Sequence, residues 1–495
     1  MMTLAQFGGP VACVGLAVLL VTHSRASRLA GLGLTLAGAA IVGVALAPNA
    51  PGKIALGLAA TLAAAAAAAI AFRLVPWLLP VAAIACVPAR IGVHVDGAGS
   101  KLLVPLYVII LGAVMLLGWE LWRGDKRARE LGLATWPLAG FIAWVGVSLV
   151  WSKDVHEGAV TLLAFYVPFA ILALAVARLP WSTLGVRVLY GAVTAMALVL
   201  AGVGFYQYQT RDIFQNPKVI NANAYAQFFR VNSVFWDPSI YGRFLVVAIV
   251  PSLVLLVYAR VRRLAPLVVA AVVITWLGLL ISFSQSSFAA LLVAVVGASV
   301  VAWRWRAIVA VAVAGFVLAG IAVSAPTLRH SIQHHTSSGL NSATSGRSSL
   351  VANGVRIAAA HPIAGVGVGG FKRAYADRVQ KFKGNDPKLA ASHTTPVTVA
   401  AEGGIVGLAL YVALLAALLM QAFRRADRSN PGTLALASGL ALAAVICHSV
   451  FYADFFEDPT TWLLIGLIGL ASATRPAPVV EELPPTAVKE QAVIA

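Results

Sequence analysis

The feature that most constrains this chain is the recurrence of apolar runs about 20 residues long, the length needed to cross a bilayer as a helix. They lie near residues 5–22, 28–47, 54–73, 102–122, 134–151, 159–177, 187–206, 239–258, 265–282, 287–303, 306–324, 396–422 and 433–452. Two shorter runs, 75–88 and 460–473, read as re-entrant segments or as spans with displaced boundaries. Hydrocarbon offers no partner for a backbone N–H or C=O, so a spanning segment must satisfy its own, and a helix does. The expected fold is therefore all-α, a polytopic membrane bundle of about 12 to 15 spans. Hydrophobic residues make up 60% of the 495 and charged ones 11%, against about 25% charged in globular proteins. A soluble enzyme, a secreted disulfide scaffold and a disordered protein are excluded. Cys13, Cys86 and Cys447 fall in separate apolar runs without metal or disulfide spacing, and read as small buried hydrophobes. The first run lacks a basic start and is expected to be a retained helix.

The net charge of +18 would suggest nucleic acid in a soluble chain. In a membrane protein basic residues belong first to the cytoplasmic connections, and no nucleic-acid partner is expected. Four short connections carry clustered positive charge: Arg123 with Lys126, Arg127 and Arg129; Arg260 with Arg262 and Arg263; Arg304 with Arg306; and Arg424 with Arg425 and Arg428. Placing all four inside puts 207–236 and 325–395 on the outer face. The chain then divides into N-terminal helices (1–206), central helices with the external loop 207–236 (207–324), a long external loop (325–395), C-terminal helices (396–474) and a disordered cytoplasmic tail (475–495). No internal repeat is visible, which weighs against repeat-built transporters.

The loop 325–395 is far longer than its neighbours, and loops of that length are usually functional or disordered. It holds nine basic residues against Asp377 and Asp386, and five of the nine histidines. Such a loop on an apolar body reads as a site for an anionic, lipid-tethered ligand. It is expected to cap an outer cavity open sideways to the bilayer, with part of 325–345 mobile.

Three stretches carry the chemistry. In SGRSSLVANGVRIAAAHPIAGVGVGGF (345–371), Ser345 or Ser348 can cap a helix that His361-Pro362 ends. Gly365, Gly367 and Gly370 satisfy GxGxxG formally, but with no preceding strand they read as a tight turn packing the loop down. In SHTTPVTVAAEGGIVGLALY (392–411), His393 sits at the mouth of a span opened by Pro396. Its imidazole can accept a proton from a sugar hydroxyl, or can simply hydrogen-bond the helix mouth. Glu402, shallow in the same span, is an orienting partner or half of a structural pair. In FFRVNSVFWDPSIYGRFL (228–245), Arg230 and Arg243 have the planar fork that suits phosphate oxygens, although Arg243 also reads as an interfacial snorkelling residue.

Together, SGRSSL…HPIAGVGVGGF…H-(x8)-E-x-G-x-x-G-L and RVNSVFWDPSIYGR resemble the core pattern of the O-antigen ligase and Wzy polymerase superfamily. The resemblance implies a GT-C-like membrane glycosyltransferase without cofactor or metal. It implies transfer of a glycan from an undecaprenyl-diphosphate carrier to a glycan or lipid-linked acceptor, with inversion, at the outer face of the bacterial cytoplasmic membrane. His393 would be the base, and Arg230 and Arg347 would hold the diphosphate. Arg243, Arg356, Lys372 and Glu402 complete the expected substrate contacts. The sequence departs from the pattern at Thr394, where Asn or Ser is usual, and at FSQSSF (283–288), where a Ser-Arg pair is common. Gln285 or Ser287 stands there in place of a cation, and Lys218, Arg243 or Arg356 would have to compensate. A repeat-unit polymerase, a lipid-carrier flippase and a non-catalytic assembly protein are the alternatives.

Overall fold

The computed structural model describes residues 2–46, 51–89, 91–95, 98–125, 130–214, 216–225, 228–258, 263–304, 306, 347–379 and 392–474, with side chains at all of these except 2, 3, 51–58, 91–102, 347 and 379. The expected spans over 306–324, the segment 325–345 and the tail thus fall almost wholly outside the described residues.

The described helices, in order, are α1 (Met2–Val21), α2 (Arg25–Leu46), α3 (Pro51–Leu74), α4 (Leu78–Cys86), α5 (Val104–Trp122), α6 (Thr135–Ser148), α7 (Val155–Thr161), α8 (Val167–Ala177) and α9 (Thr183–Thr210). There follow α10 (Pro217–Tyr225), α11 (Pro238–Val257), α12 (Ala265–Ser282) and α13 (Gln285–Trp303). The last five are α14 (Arg347–Ala360), α15 (Phe371–Val379), α16 (Thr395–Arg424), α17 (Asn430–Ser449) and α18 (Pro459–Ala473). Among the described residues eleven helices are long and apolar enough to cross a bilayer, one of them formed by α7 and α8 run together through a π turn at Leu162–Tyr166. Two further apolar helices, Ala59–Leu74 and α18, are shorter. The run 75–88 yields only the nine-residue α4. One element departs from an all-helical reading: an antiparallel hairpin, β1 (Ile91–Val95) with β2 (Ala98–Leu102), pairs Ile91 with Leu102 between α4 and α5.

Helix starts follow local chemistry. Asp154, Ser182, Asp237, Ser284, Ser429 and Asp458 each cap the following helix by accepting a backbone N–H, satisfying donors that a helix leaves orphaned at its first turn.

The bundle has two chemically different ends. At one end lie the Arg263, Arg304 and Arg424–Arg428 connections. The Arg178 guanidinium at the end of α8 joins them there, bonding Glu120, Asp125 and Glu130, while Arg28 of α2 meets Glu130 at 2.7 Å. At the other end, cross-links tie the helix mouths of α11, α12, α13, α16 and the 450–458 loop together. Ser287 donates to Ser239 O, Phe455 N reaches the Thr395 hydroxyl, and Val231 N donates to Ile281 O. Beneath this end an aromatic block fixes the 450–458 loop: Phe456 stacks on Phe141 at 4.7 Å, and Trp462 donates to the Phe456 carbonyl at 2.9 Å.

Candidate functional site

The site end is organised by a break in α16. At Gly404 the backbone turns to φ 62°, ψ −160°, which interrupts the helical hydrogen-bond ladder two residues after Glu402. The freed groups are taken up by the turn between α14 and α15: Val366 N donates to Ala401 O at 2.9 Å, Gly367 N to Glu402 O at 3.0 Å, and Ile405 N to Pro362 O at 2.8 Å. Trp144 of α6 donates its indole N–H to Gly403 O at 2.8 Å. A backbone break inside a membrane survives only where protein satisfies its polar groups, and here it does. Glycine is required on both sides: a β-carbon at Gly404 would overlap the Ile363 carbonyl, and one at Gly365, which has φ 67°, would overlap the Glu402 carbonyl. The expected tight glycine turn is thus present, seated on α16 and α6 rather than on a nucleotide.

The same turn is strapped to α6 and α7. Ser152 Oγ donates to Val368 O at 2.7 Å, and Val368 N to Ser148 Oγ at 3.0 Å. Lys372, in the first turn of α15, places its ammonium 2.6 Å from the Glu157 carboxylate. Burial alone would lower the Lys372 pKa, but the hydrogen bond and charge of Glu157 outweigh it and raise it above its ordinary value. Glu402 turns its carboxylate to the start of α15, accepting from Phe371 N at 3.2 Å, where the helix dipole favours an anion.

These elements enclose a cavity of about 150 Å³. Its chemistry is acidic: Glu157, Glu402, Asp454 and Glu457 line it with Lys372, over an aromatic floor. Ser392, Thr395 and Thr398 form part of the wall. His393, between the first two, is not among the lining residues. It is held half-buried at φ 55°, a left-handed conformation uncommon for a side-chain-bearing residue. Ser392 locks that turn, accepting from Thr394 N at 3.1 Å and hydrogen-bonding the Thr398 hydroxyl at 2.5 Å.

Arg230 lies at the same end. Its backbone is clasped by Asn223, which donates to Arg230 O at 2.9 Å and accepts from Arg230 N at 3.0 Å. Its Nε donates to Ser282 O at 3.3 Å, bringing the guanidinium to the turn that opens FSQSSF. The backbone of Arg347 opens α14, while its side chain lies outside the described residues. Arg356 is exposed on α14 and takes no part in the cavity wall.

Arg243 has a different task from the one expected. It is 3% exposed, its Nη1 directed at Asp454 and its Nε at Asp458, 2.9 Å away. With both carboxylates internal, the guanidinium fastens α11 to the 450–458 loop. Two acids against one cation leave a local excess of negative charge. Burial pushes the Asp454 carboxyl up to about 6, Arg243 opposes this, and Asp458 and Asp237 add to it. His448 is fully buried beside Tyr452, ring centroids 5.7 Å apart.

Sequence reading missed Glu157, Asp454, Asp458 and Glu457. The signal for three of them is ADFFEDP (453–459), three acids in an otherwise apolar stretch entering a span, where unpaired carboxylates are costly.

Fold and site together define a polytopic helical membrane protein with an acidic cavity at one end of the bundle. Residues 269–412, from α12 to the middle of α16, match the family model described as O-Antigen ligase. That match takes in less than a third of the chain, includes Arg347, His393 and Glu402, and supports membership of the O-antigen ligase and Wzy superfamily. No curated protein matches the chain.

Proposed function

We propose that the protein transfers a glycan from an undecaprenyl-diphosphate carrier to an acceptor hydroxyl at the outer face of the bacterial cytoplasmic membrane. The observation that supports this reading is the placement, at one end of the bundle, of the His393 turn, Arg230 and a carboxylate-lined cavity. In the proposed reaction the acceptor oxygen attacks the anomeric carbon from the face opposite the diphosphate. A proton passes from the acceptor hydroxyl to the His393 imidazole, and the carbon–oxygen bond to the diphosphate breaks with its electron pair staying on the phosphate, so the anomeric centre inverts. Arg230 and Arg347 neutralise the charge growing on that leaving group, the work a divalent cation does in other transferases. Glu402 and the neighbouring carboxylates accept hydrogen bonds from sugar hydroxyls, and Lys372, braced by Glu157, closes the cavity rim. The position of Arg230 at the Ser282 turn also supplies a cation where FSQSSF lacks one.

The reading is tested by the lipid-linked saccharides that accumulate in cells lacking the protein. Finished chains held on the carrier support a ligase. Single repeat units identify the acceptor as a growing chain and make the protein a polymerase. No change in either defeats the transferase reading.

A further inference from the structure

An apolar slot that shares no lining residue with the acidic cavity has no part in the chemistry above. It has a volume of about 410 Å³ and lies where α9, α11, α17 and α18 leave a gap beside α4. Leu189, Val193, Val247, Leu255, Leu434 and Leu463 give it a hydrocarbon lining. Along α17 the wall runs from Asn430 to Ser438, about 12 Å at 1.5 Å per residue. Its charged lining is confined to the mouth. Arg187 and Arg428 stand there with Thr183, Tyr258 and Asn430, at the same end as the other arginine-rich connections.

The two arginines are available. Among the described residues neither pairs with a carboxylate: nearby Asp427 is taken by Arg425 at 2.6 Å, and the Arg428 guanidinium lies 5.8 Å from the centre of the Tyr258 ring. Both side chains are exposed. An apolar slot deep enough for part of an alkyl chain, opening beneath two unneutralised guanidiniums, is complementary to one kind of molecule: an amphiphile with an anionic head. The polyprenyl donor does not fit this description, because its diphosphate is handled at the opposite end of the bundle.

We propose that this slot binds an anionic glycerophospholipid of the leaflet at the basic end, one acyl chain lying between α9 and α17 and the phosphate held by Arg187 and Arg428. The bound lipid fills a gap that would otherwise leave α9 poorly supported against α17 and α18. The choice of a glycerophospholipid over the polyprenyl donor rests on the proposed transferase reading.

The test is native mass spectrometry of the full-length protein in detergent, titrated with phosphatidylglycerol or phosphatidylcholine. Each surface arginine contributes roughly a fivefold preference for anionic lipid, so about a thirtyfold preference is expected for the pair. Arg187→Gln combined with Arg428→Gln should remove that preference while leaving weak binding of both lipids. Val193→Trp, which fills the slot and leaves the arginines in place, should weaken both lipids together. Equal binding of the two lipids by the native protein would overturn the proposal. So would a retained preference in the double variant, unaltered binding in Val193→Trp, or displacement of phosphatidylglycerol by inorganic phosphate alone.

Discussion

Replacing Arg243 by Met gives the sharpest separation between a structural and a substrate-binding cation. In the native bundle the Arg243 guanidinium serves Asp454 and Asp458, which are buried at 9% and 6% exposure. Removing it strands both carboxylates in a protein interior, and breaking a buried ion pair from one side costs about 3–5 kcal/mol. Asp454→Asn leaves a balanced Arg243–Asp458 pair and loses only one hydrogen bond to a charged group, about 1.5 kcal/mol or less because the carboxyl is already reluctant to ionise. Neutralising all three, with Asp454→Asn and Asp458→Asn added to Arg243→Met, should return most of the lost stability. Unfolding followed by tryptophan fluorescence in mixed micelles measures all four proteins. The reasoning is refuted if Arg243→Met unfolds like the wild type and instead raises the apparent KM for a lipid-diphosphate donor.

Three further outcomes follow from the same geometry. Burial raises the Asp454 carboxyl to about 6, above the ordinary carboxylate range, so the folded state binds a proton that the unfolded state releases; stability from this group is therefore present at low pH and lost as pH rises through about 6. Thermal scans at pH 5 and pH 8 should show the wild type losing ground to Asp454→Asn at the higher pH, and the opposite trend would contradict the assignment. Gly404→Ala forces a β-carbon into the Ile363 carbonyl; strain of about 1–3 kcal/mol should detach the 362–367 turn, seen as faster amide exchange there and loss of transfer. Glu130→Gln removes the carboxylate shared by the buried Arg28 and Arg178 and should lower thermal stability without changing the donor KM of the surviving folded protein, because this network sits at the end away from the cavity.

The helices were legible because bilayer thickness imposes one length on every span, and the His393–Glu402 spacing was legible because both residues belong to one stretch at a single helix mouth. The Arg243 triad was not. Asp454 lies 211 positions from Arg243 in sequence, and nothing local to GRFL distinguishes an arginine that meets a phosphate from one that meets two aspartates. The acidic wall was hidden for the same reason: Glu157 comes from the start of α7, Glu402 from α16 and Asp454 from the loop before α18. The hairpin after α4 did leave a trace, an Asp96-Gly97 turn pair between alternating residues, but the apolar runs on either side dominate the pattern. The break in α16 was half visible: Gly403-Gly404 mark a weak point in the helix, while the loop that satisfies it lies more than thirty residues earlier in the chain.

The most direct measurement is transfer by the purified protein in bilayer nanodiscs, supplied with an undecaprenyl-diphosphate-linked glycan and a hydroxyl acceptor in the presence of EDTA, with products resolved by mass spectrometry. Release of undecaprenyl diphosphate and an inverted glycosidic bond by the wild type, both abolished in a folded His393→Ala variant that still binds donor, is the result expected. Full turnover by His393→Ala, or turnover by the wild type only when a divalent cation is restored, would contradict the account.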